Sequence, residues 1–140
     1  MSMTQIYSSE LQEIYYDKSK SLIKNIWLAE NISFEEMKKE MKNWMDNFNQ
    51  TKAKYMLTDS SLGIIVPPKT QDWIVDFLFP TVIEKGILKY AILLSEEIFS
   101  QVSVEQMFDE KKVTEEDNFQ QFFFDKSEEK KALDWLNSNE

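Results

Sequence analysis

YMLTDSSLGIIVPPKTQDW, residues 55–73, admits two readings that divide over what kind of protein this is. Asp59-Ser60-Ser61, followed at one remove by Gly63, has the look of a signature with chemistry in it: a nucleophile, a phosphorylatable serine or an anion-binding turn. The other reading is architectural. An apolar strand stops at Asp59, the Asp, Ser and Gly side chains and backbone turn the chain, and Pro67-Pro68 opens a helix, where proline's missing N–H does no harm. A nucleophilic serine needs a base, and neither histidine nor a Ser-x-x-Lys spacing is present here. The stretch therefore reads as strand, turn and helix. Asp59, Ser60 and Ser61 stay candidates for ligand contact, because ligands of open α/β sheets sit at the carboxyl ends of strands.

Working outward, 140 residues make one domain, here taken as 1–140 with a core over about 11–137. Such a chain buries roughly 70% of its extended surface and needs no covalent staple. The absence of cysteine removes disulfides and thiolate ligands, and the absence of histidine removes Ser-His-Asp triads and the usual zinc sites. The expectation is no catalytic residue, no metal and no cofactor. All 16 basic residues are lysine, set against 25 acids for a formal charge of −9. Lysines scattered through so acidic a chain predict repulsion from nucleic acid and from anionic membranes. No basic start precedes an apolar run at the N-terminus, and no run suits a bilayer span. A cytoplasmic protein without an integral membrane segment is expected.

Local patterns predict an order β-β-α-β-α-β-α-β-α. Strands are read at 11–17, 21–30, 53–59, 87–95 and 119–124, the first two forming a hairpin. Ser33 and Glu36 form a capping box before a helix whose Phe34, Met37, Met41, Trp44, Met45 and Phe48 recur at helical spacing. A second helix fills 67–86, capped by Thr70, with Pro80 expected to kink or split it. Residues 96–108 read as a third helix with Ile98, Phe99, Val102 and Met107 inward, and 109–118 as a mobile charged loop. Asp125 and Glu128 suggest a second capping box before a last helix. The fold class is thus α/β: a mixed, mostly parallel five-stranded sheet, with one antiparallel strand and the apolar 87–95 strand central, covered by four to five helices.

That order, with the hairpin into the Ser33-capped helix, YMLTDSS, KYAILLS and the closing FFFDKSEEKKALDWLNS, resembles the STAS domain of anti-sigma-factor antagonists, and more closely its SpoIIAA-like relatives. The resemblance covers roughly residues 11 to 137. It implies a bacterial, non-enzymatic regulatory or interaction module that binds a protein partner or a small ligand. Phospho-switching members carry a serine or threonine at the start of the second helix in an Asp-Ser-Ser-Gly-like motif. Here DSSLG falls too early, at the strand end, and Thr70 is the one hydroxyl near PPKTQDW, so the switch is doubtful and Thr70 is its only candidate phospho-acceptor. Related folds bind lipophilic molecules between helices and sheet, which leaves a lipophilic-ligand or lipid-handling protein as the alternative, and a small-molecule enzyme using Asp59 as a third.

Two further features bear on binding. The aromatic surplus includes Trp73 and Phe77 in WIVDFLFPTVI, a segment apolar nearly all round. It is expected to make a homodimer contact or the rim of an apolar pocket. The acid runs Glu96-Glu97 and Glu115-Glu116-Asp117 lack the alternation of a calcium loop and read as solvated charge.

Overall fold

A computed structural model of the protein describes residues 3–99 and 119–138. The chain begins with β1 (Met3–Ser8), β2 (Gln12–Asp17) and β3 (Leu22–Trp27), then alternates α1 (Phe34–Phe48), β4 (Tyr55–Asp59), α2 (Pro68–Glu84) and β5 (Lys89–Leu94). The four-residue α3 (Glu96–Phe99) follows, and after residues 100–118 come β6 (Gln120–Asp125), a 3₁₀ turn (Lys126–Glu128) and α4 (Glu129–Leu136).

The fold is α/β, with a six-stranded mixed sheet whose spatial order equals the chain order, β1-β2-β3-β4-β5-β6. β1–β2 and β2–β3 pair antiparallel, and β3–β4, β4–β5 and β5–β6 pair parallel. Leu22, Tyr55, Lys89 and Gln120 stand side by side at the amino end of the four parallel strands. Both crossover helices lie on one face, as right-handed connections advancing in one direction require. There Met37, Met41, Trp44 and Phe48 of α1 and Leu78, Phe79 and Val82 of α2 bury Ile14, Ile23, Trp27, Met56 and Tyr90 of the sheet. Side chains of a strand alternate between faces, so Leu22, Leu57, Ala91 and Leu93 point the other way and are covered by Ala132 and Leu136 of α4.

Sequence and structure part company at definite places. The sheet has six strands rather than five; β2 is the one antiparallel strand expected, and β1 beyond it runs the same way as β3. The extra strand, β1, is an exposed edge with only Ile6 and Tyr7 half-buried, so it lacks the apolar alternation that marks a strand. A bulge between Gln5 and Tyr7 interrupts its pairing with β2, a common means of keeping an edge from recruiting another chain. β5 is interior, between β4 and β6, as its apolar run demands, though one place in from the β6 edge rather than at the centre.

α2 runs unbroken through Pro80. The hydrogen bond that proline forfeits would have gone to Asp76, and both residues lie on the exposed side of the helix, where its loss costs least. Pro67 occupies the position before α2 and Pro68 opens it, so Thr70 is not the cap; it lies inside the first turn, buried. The box at Ser33 forms as expected, Glu36 N–H donating to Ser33 Oγ at 3.0 Å and Ser33 N–H to Glu36 Oε1 at 2.9 Å. The box expected at Asp125 and Glu128 does not form. Asp125 instead accepts from Ser127 and the chain tightens into the 3₁₀ turn, leaving Glu128 ahead of α4 without a side-chain cap.

Ile98, expected inward, is 41% exposed. The rest of the expected third helix and the loop 109–118 lie outside the described residues. Among those described, no helix is long and apolar enough to cross a membrane.

Candidate functional site

β4 ends on Asp59, which is 5% exposed although it closes a strand on the open end of the sheet. Its Oδ1 accepts the Ser61 N–H at 2.9 Å and the Ser61 hydroxyl at 2.5 Å. Its Oδ2 accepts Lys126 Nζ at 2.7 Å, from the turn before α4. Ser60 N–H donates to Leu93 O at 2.9 Å, extending the β4–β5 ladder one step, and Gly63, with φ near +99°, completes the turn back to Ser60 O. The Asp-Ser-Ser triplet is therefore a strand terminus that folds its polar atoms inward, and glycine at 63 supplies the left-handed backbone the turn needs.

The ion pair continues down the back of the sheet. Lys126 Nζ also reaches Glu129 Oε1 at 2.9 Å, and Glu129 Oε2 holds Lys24 Nζ of β3 at 2.8 Å. Burial pushes the Asp59 carboxyl up, but the Lys126 and Ser61 hydrogen bonds and the Lys126 charge outweigh it and hold the group below the usual carboxylate range. Glu129 behaves likewise: burial opposes its ionisation, and Lys24 and Lys126 overcome it, lowering its pKa. The Lys126 ammonium, which burial would discharge, is held above the ordinary lysine range by Asp59 and Glu129. At the other end of α4, Lys89 Nζ donates to Trp135 O at 2.9 Å, Ser138 O at 3.0 Å and Ser138 Oγ at 2.6 Å. Thus α4 is fastened at both ends by lysines and in between by Ala132 and Leu136.

A second polar arrangement crosses the opposite face, beneath α1 and α2. Thr58 Oγ1 donates to Asn25 Oδ1 at 2.7 Å, Asn25 Nδ2 to Gln12 Oε1 at 3.0 Å, and Gln12 Nε2 to Glu40 Oε1 at 3.1 Å. The Thr58 hydroxyl stands 2.7 Å from Tyr90 OH. Because a hydroxyl carries one hydrogen, already directed at Asn25, Tyr90 is the donor in that pair. The row therefore runs one way, from β5 through β4, β3 and β2 to a glutamate of α1. Glu40 Oε1 also accepts from Tyr7 OH and Ser9 Oγ, each at 3.1 Å. Gln12, Asn25, Glu40, Thr58 and Tyr90 are all buried, and hydrogen bonds aligned in such a low-dielectric row polarise one another.

Of the residues singled out in the sequence, Asp59, Ser60 and Ser61 meet in one turn. Thr70 is only 4% exposed, and the hydrogen-bond partners of Asp59 among the described residues are Ser61 and Lys126, not Thr70. Trp73 and Phe77 stack with ring centres 4.8 Å apart, and Phe34 of α1 meets Trp73 edge-on at 6.3 Å. Part of α2's apolar surplus thus serves helix–helix packing. The polar row escaped the sequence reading, yet its signal was present. Asn25 sits at an inward position between Ile23 and Trp27, Gln12 two before Ile14, and Thr58 two after Met56. Among the described residues, no group of three or more acidic side chains is placed to hold a metal ion.

The molecule so defined is a mixed α/β domain whose strand-end carboxylate is paired with Ser61 and Lys126 on one face of the sheet and whose buried polar groups form a separate row on the other. Compared with known proteins, the chain matches no family model, and neither a curated protein nor a solved structure matches it.

Proposed function

We propose that this chain is a non-enzymatic interaction module of the STAS-like type that binds a protein partner at the carboxyl end of its parallel strands. The observation that carries this is a pair of loops displaying apolar side chains to water. Leu28 is 37% exposed in the loop after β3, and Leu62 and Ile65 are 50% and 59% exposed in the loop after β4. The two loops are tied together: Ile65 N–H donates to Glu30 O at 2.8 Å, and Asn31 and Ile65 form a parallel bridge. Exposed apolar groups on a braced rather than trailing loop suit recognition of another protein. A catalytic use of Asp59 is disfavoured because both carboxylate oxygens already have close partners and no histidine exists to serve as base. The burial of Thr70 supports a module that works without the family's phospho-switch.

Native mass spectrometry of the protein purified from its own host, beside the Leu62→Asp/Ile65→Asp double variant, tests the proposal. A stoichiometric protein partner held by the wild type and lost from the double variant supports it. A bound small molecule with no partner favours the lipophilic-ligand alternative, and a bare, unmodified monomer refutes both.

A further inference from the structure

The lysines are scattered in sequence but not in space. Lys18 and Lys20 lie in the β2–β3 hairpin, Lys52 and Lys54 in the segment between α1 and β4, and Lys85 at the end of α2. All five are exposed. Hydrogen bonds stitch these three loops together at the amino end of the parallel strands. Lys54 N–H and Tyr55 N–H donate to Ser21 O at 2.8 and 3.1 Å, Leu88 N–H donates to Lys54 O at 2.8 Å, and Lys52 N–H reaches Tyr16 OH at 3.4 Å. A Cβ placed on Gly86 would stand 3.0 Å from Lys54 Nζ, so that ammonium lies over the α2–β5 turn. Neighbouring strands are spaced about 4.8 Å apart, which brings the loops of β3, β4 and β5 within roughly 10 Å of one another.

Among the described residues none of the five forms an ion pair; the lysines that do are Lys24, Lys38, Lys126 and Lys131. The described acids at this end are Asp17, Asp46, Glu84 and, in the last turn of α4, Asp134. Asp17 is 2% exposed, its Oδ1 accepting the Ser19 hydroxyl at 2.7 Å and the Lys20 N–H at 3.2 Å. That leaves three exposed acids, Asp46, Glu84 and Asp134, against five exposed lysines in a chain of net charge −9. The opposite end of the sheet carries Glu35, Glu36, Asp72, Glu96, Glu97 and Glu128. Complementing the helix dipoles does not account for the collection. The C-termini of α1, α2 and α4 present about half a negative charge each, the last carbonyls of α4 are already held by Lys89, and Lys18 and Lys20 belong to a strand–strand hairpin, not to the last turn of a helix.

We propose that this lysine-lined end of the sheet is a docking surface for an acidic, Asp/Glu-rich protein segment. The chemistry selects that class. Helix ends here offer carbonyls rather than free N–H groups, so no phosphate cradle is formed. There is no arginine to grip phosphate with two parallel bonds. Point-like ammonium groups on flexible stems suit carboxylates spaced along a pliant chain, and the acidic remainder of the molecule repels a uniformly charged polyanion or an anionic bilayer. The surface is separate from the Leu62–Ile65 loop, so it stands or falls independently of the proposed partner site.

The test is fluorescence anisotropy of a labelled Glu/Asp-rich peptide titrated with the full chain, beside a Gln/Asn analogue of equal length. Expected are binding of the acidic peptide alone, weakening as salt shortens the Debye length from about 10 Å toward 3 Å, and loss of about tenfold in affinity from Lys52→Glu/Lys54→Glu or Lys18→Glu/Lys20→Glu. Lys39→Glu/Lys42→Glu on the outer face of α1 makes the same charge change elsewhere and should weaken binding far less. Circular dichroism confirms that each variant is folded. Equal loss in the α1 variant, no loss in the loop variants, no binding of the peptide, or tighter binding of duplex DNA or anionic vesicles each overturns the proposal.

Discussion

Replacing Asp59 with asparagine keeps the side chain's size and removes its charge from a site only 5% exposed. Three hydrogen bonds are affected: the Ser61 N–H and hydroxyl on Oδ1 and Lys126 Nζ on Oδ2. Hydrogen bonds to a charged group contribute about 1.5–3 kcal/mol each when buried. The Lys126 bond must be discounted, since that side chain is 44% exposed and pairs open to solvent contribute about 0.2–1 kcal/mol. An asparagine that keeps its carbonyl toward Ser61 preserves weakened forms of the first two bonds and turns its NH₂ toward the Lys126 ammonium. The expected cost is about 2 kcal/mol, or about 8 °C in Tm at roughly 4 °C per kcal/mol for a domain of this size. Lys126→Ala should cost about 1 kcal/mol or less, because Ser61 still satisfies Oδ1.

The pH dependence follows from the directions of the shifts. Asp59 and Glu129 have folded-state pKa values lowered below their ordinary ones, so their stabilisation is fully present above the unfolded values, about 4. It is lost as pH falls through the lower folded values. Lys126 shifts the other way, and its contribution is lost only as pH rises beyond the ordinary lysine range, about 10.4. Urea unfolding followed by circular dichroism at neutral pH and in steps down to about pH 3 reads both effects. Asp59→Asn should be less stable at neutral pH and should lose less than the wild type on acidification. The reasoning fails if the variant costs under about 0.5 kcal/mol, or if its acid profile superimposes on that of the wild type.

Two other substitutions probe other levels of the structure. Thr58→Val breaks the polar row at its middle and removes the donor from Asn25 Oδ1; a cost of about 1–3 kcal/mol is expected in urea unfolding, with the sheet otherwise retained. Ser33→Ala removes the reciprocal cap of α1 and should lower stability by about 1 kcal/mol, measurable as a shift in urea midpoint without change in slope.

What could be read from the chain was what is encoded over three or four residues. Ser33 and Glu36 announce a helix start because both partners of the box fall within one turn. The stop at Asp59 and the apolar stripe of α1 are local in the same sense. What escaped depends on residues far apart. The fastening of Asp59 to Lys126 spans 67 positions and that of Lys24 to Glu129 spans 105, and neither partner carries a mark of the other. Asp125 looked like a cap because its spacing to Glu128 was right, but Ser127, two residues on, captures its carboxylate first. β1 is a strand by virtue of its neighbour β2 rather than its own composition. At the candidate site the sequence located the turn correctly. It could not reveal that the turn's polar atoms face inward, nor that lysines from three loops converge at the other end.

The coincidence of spatial and chain order in the sheet bears on how the molecule comes into being. No strand waits for a distant, later one to be inserted beside it; each new strand adds to an edge its predecessors have already made. Growth from a ribosome, where amino-terminal segments fold first, can therefore proceed by accretion, each crossover helix closing over the pair of strands it joins. Only α4 must await the last strand, since Lys126 and Glu129 follow β6. A nascent chain halted before residue 126 would display Leu22, Leu57, Ala91 and Leu93 without the helix that covers them, which makes that face the natural one for a chaperone to shield until α4 has been added.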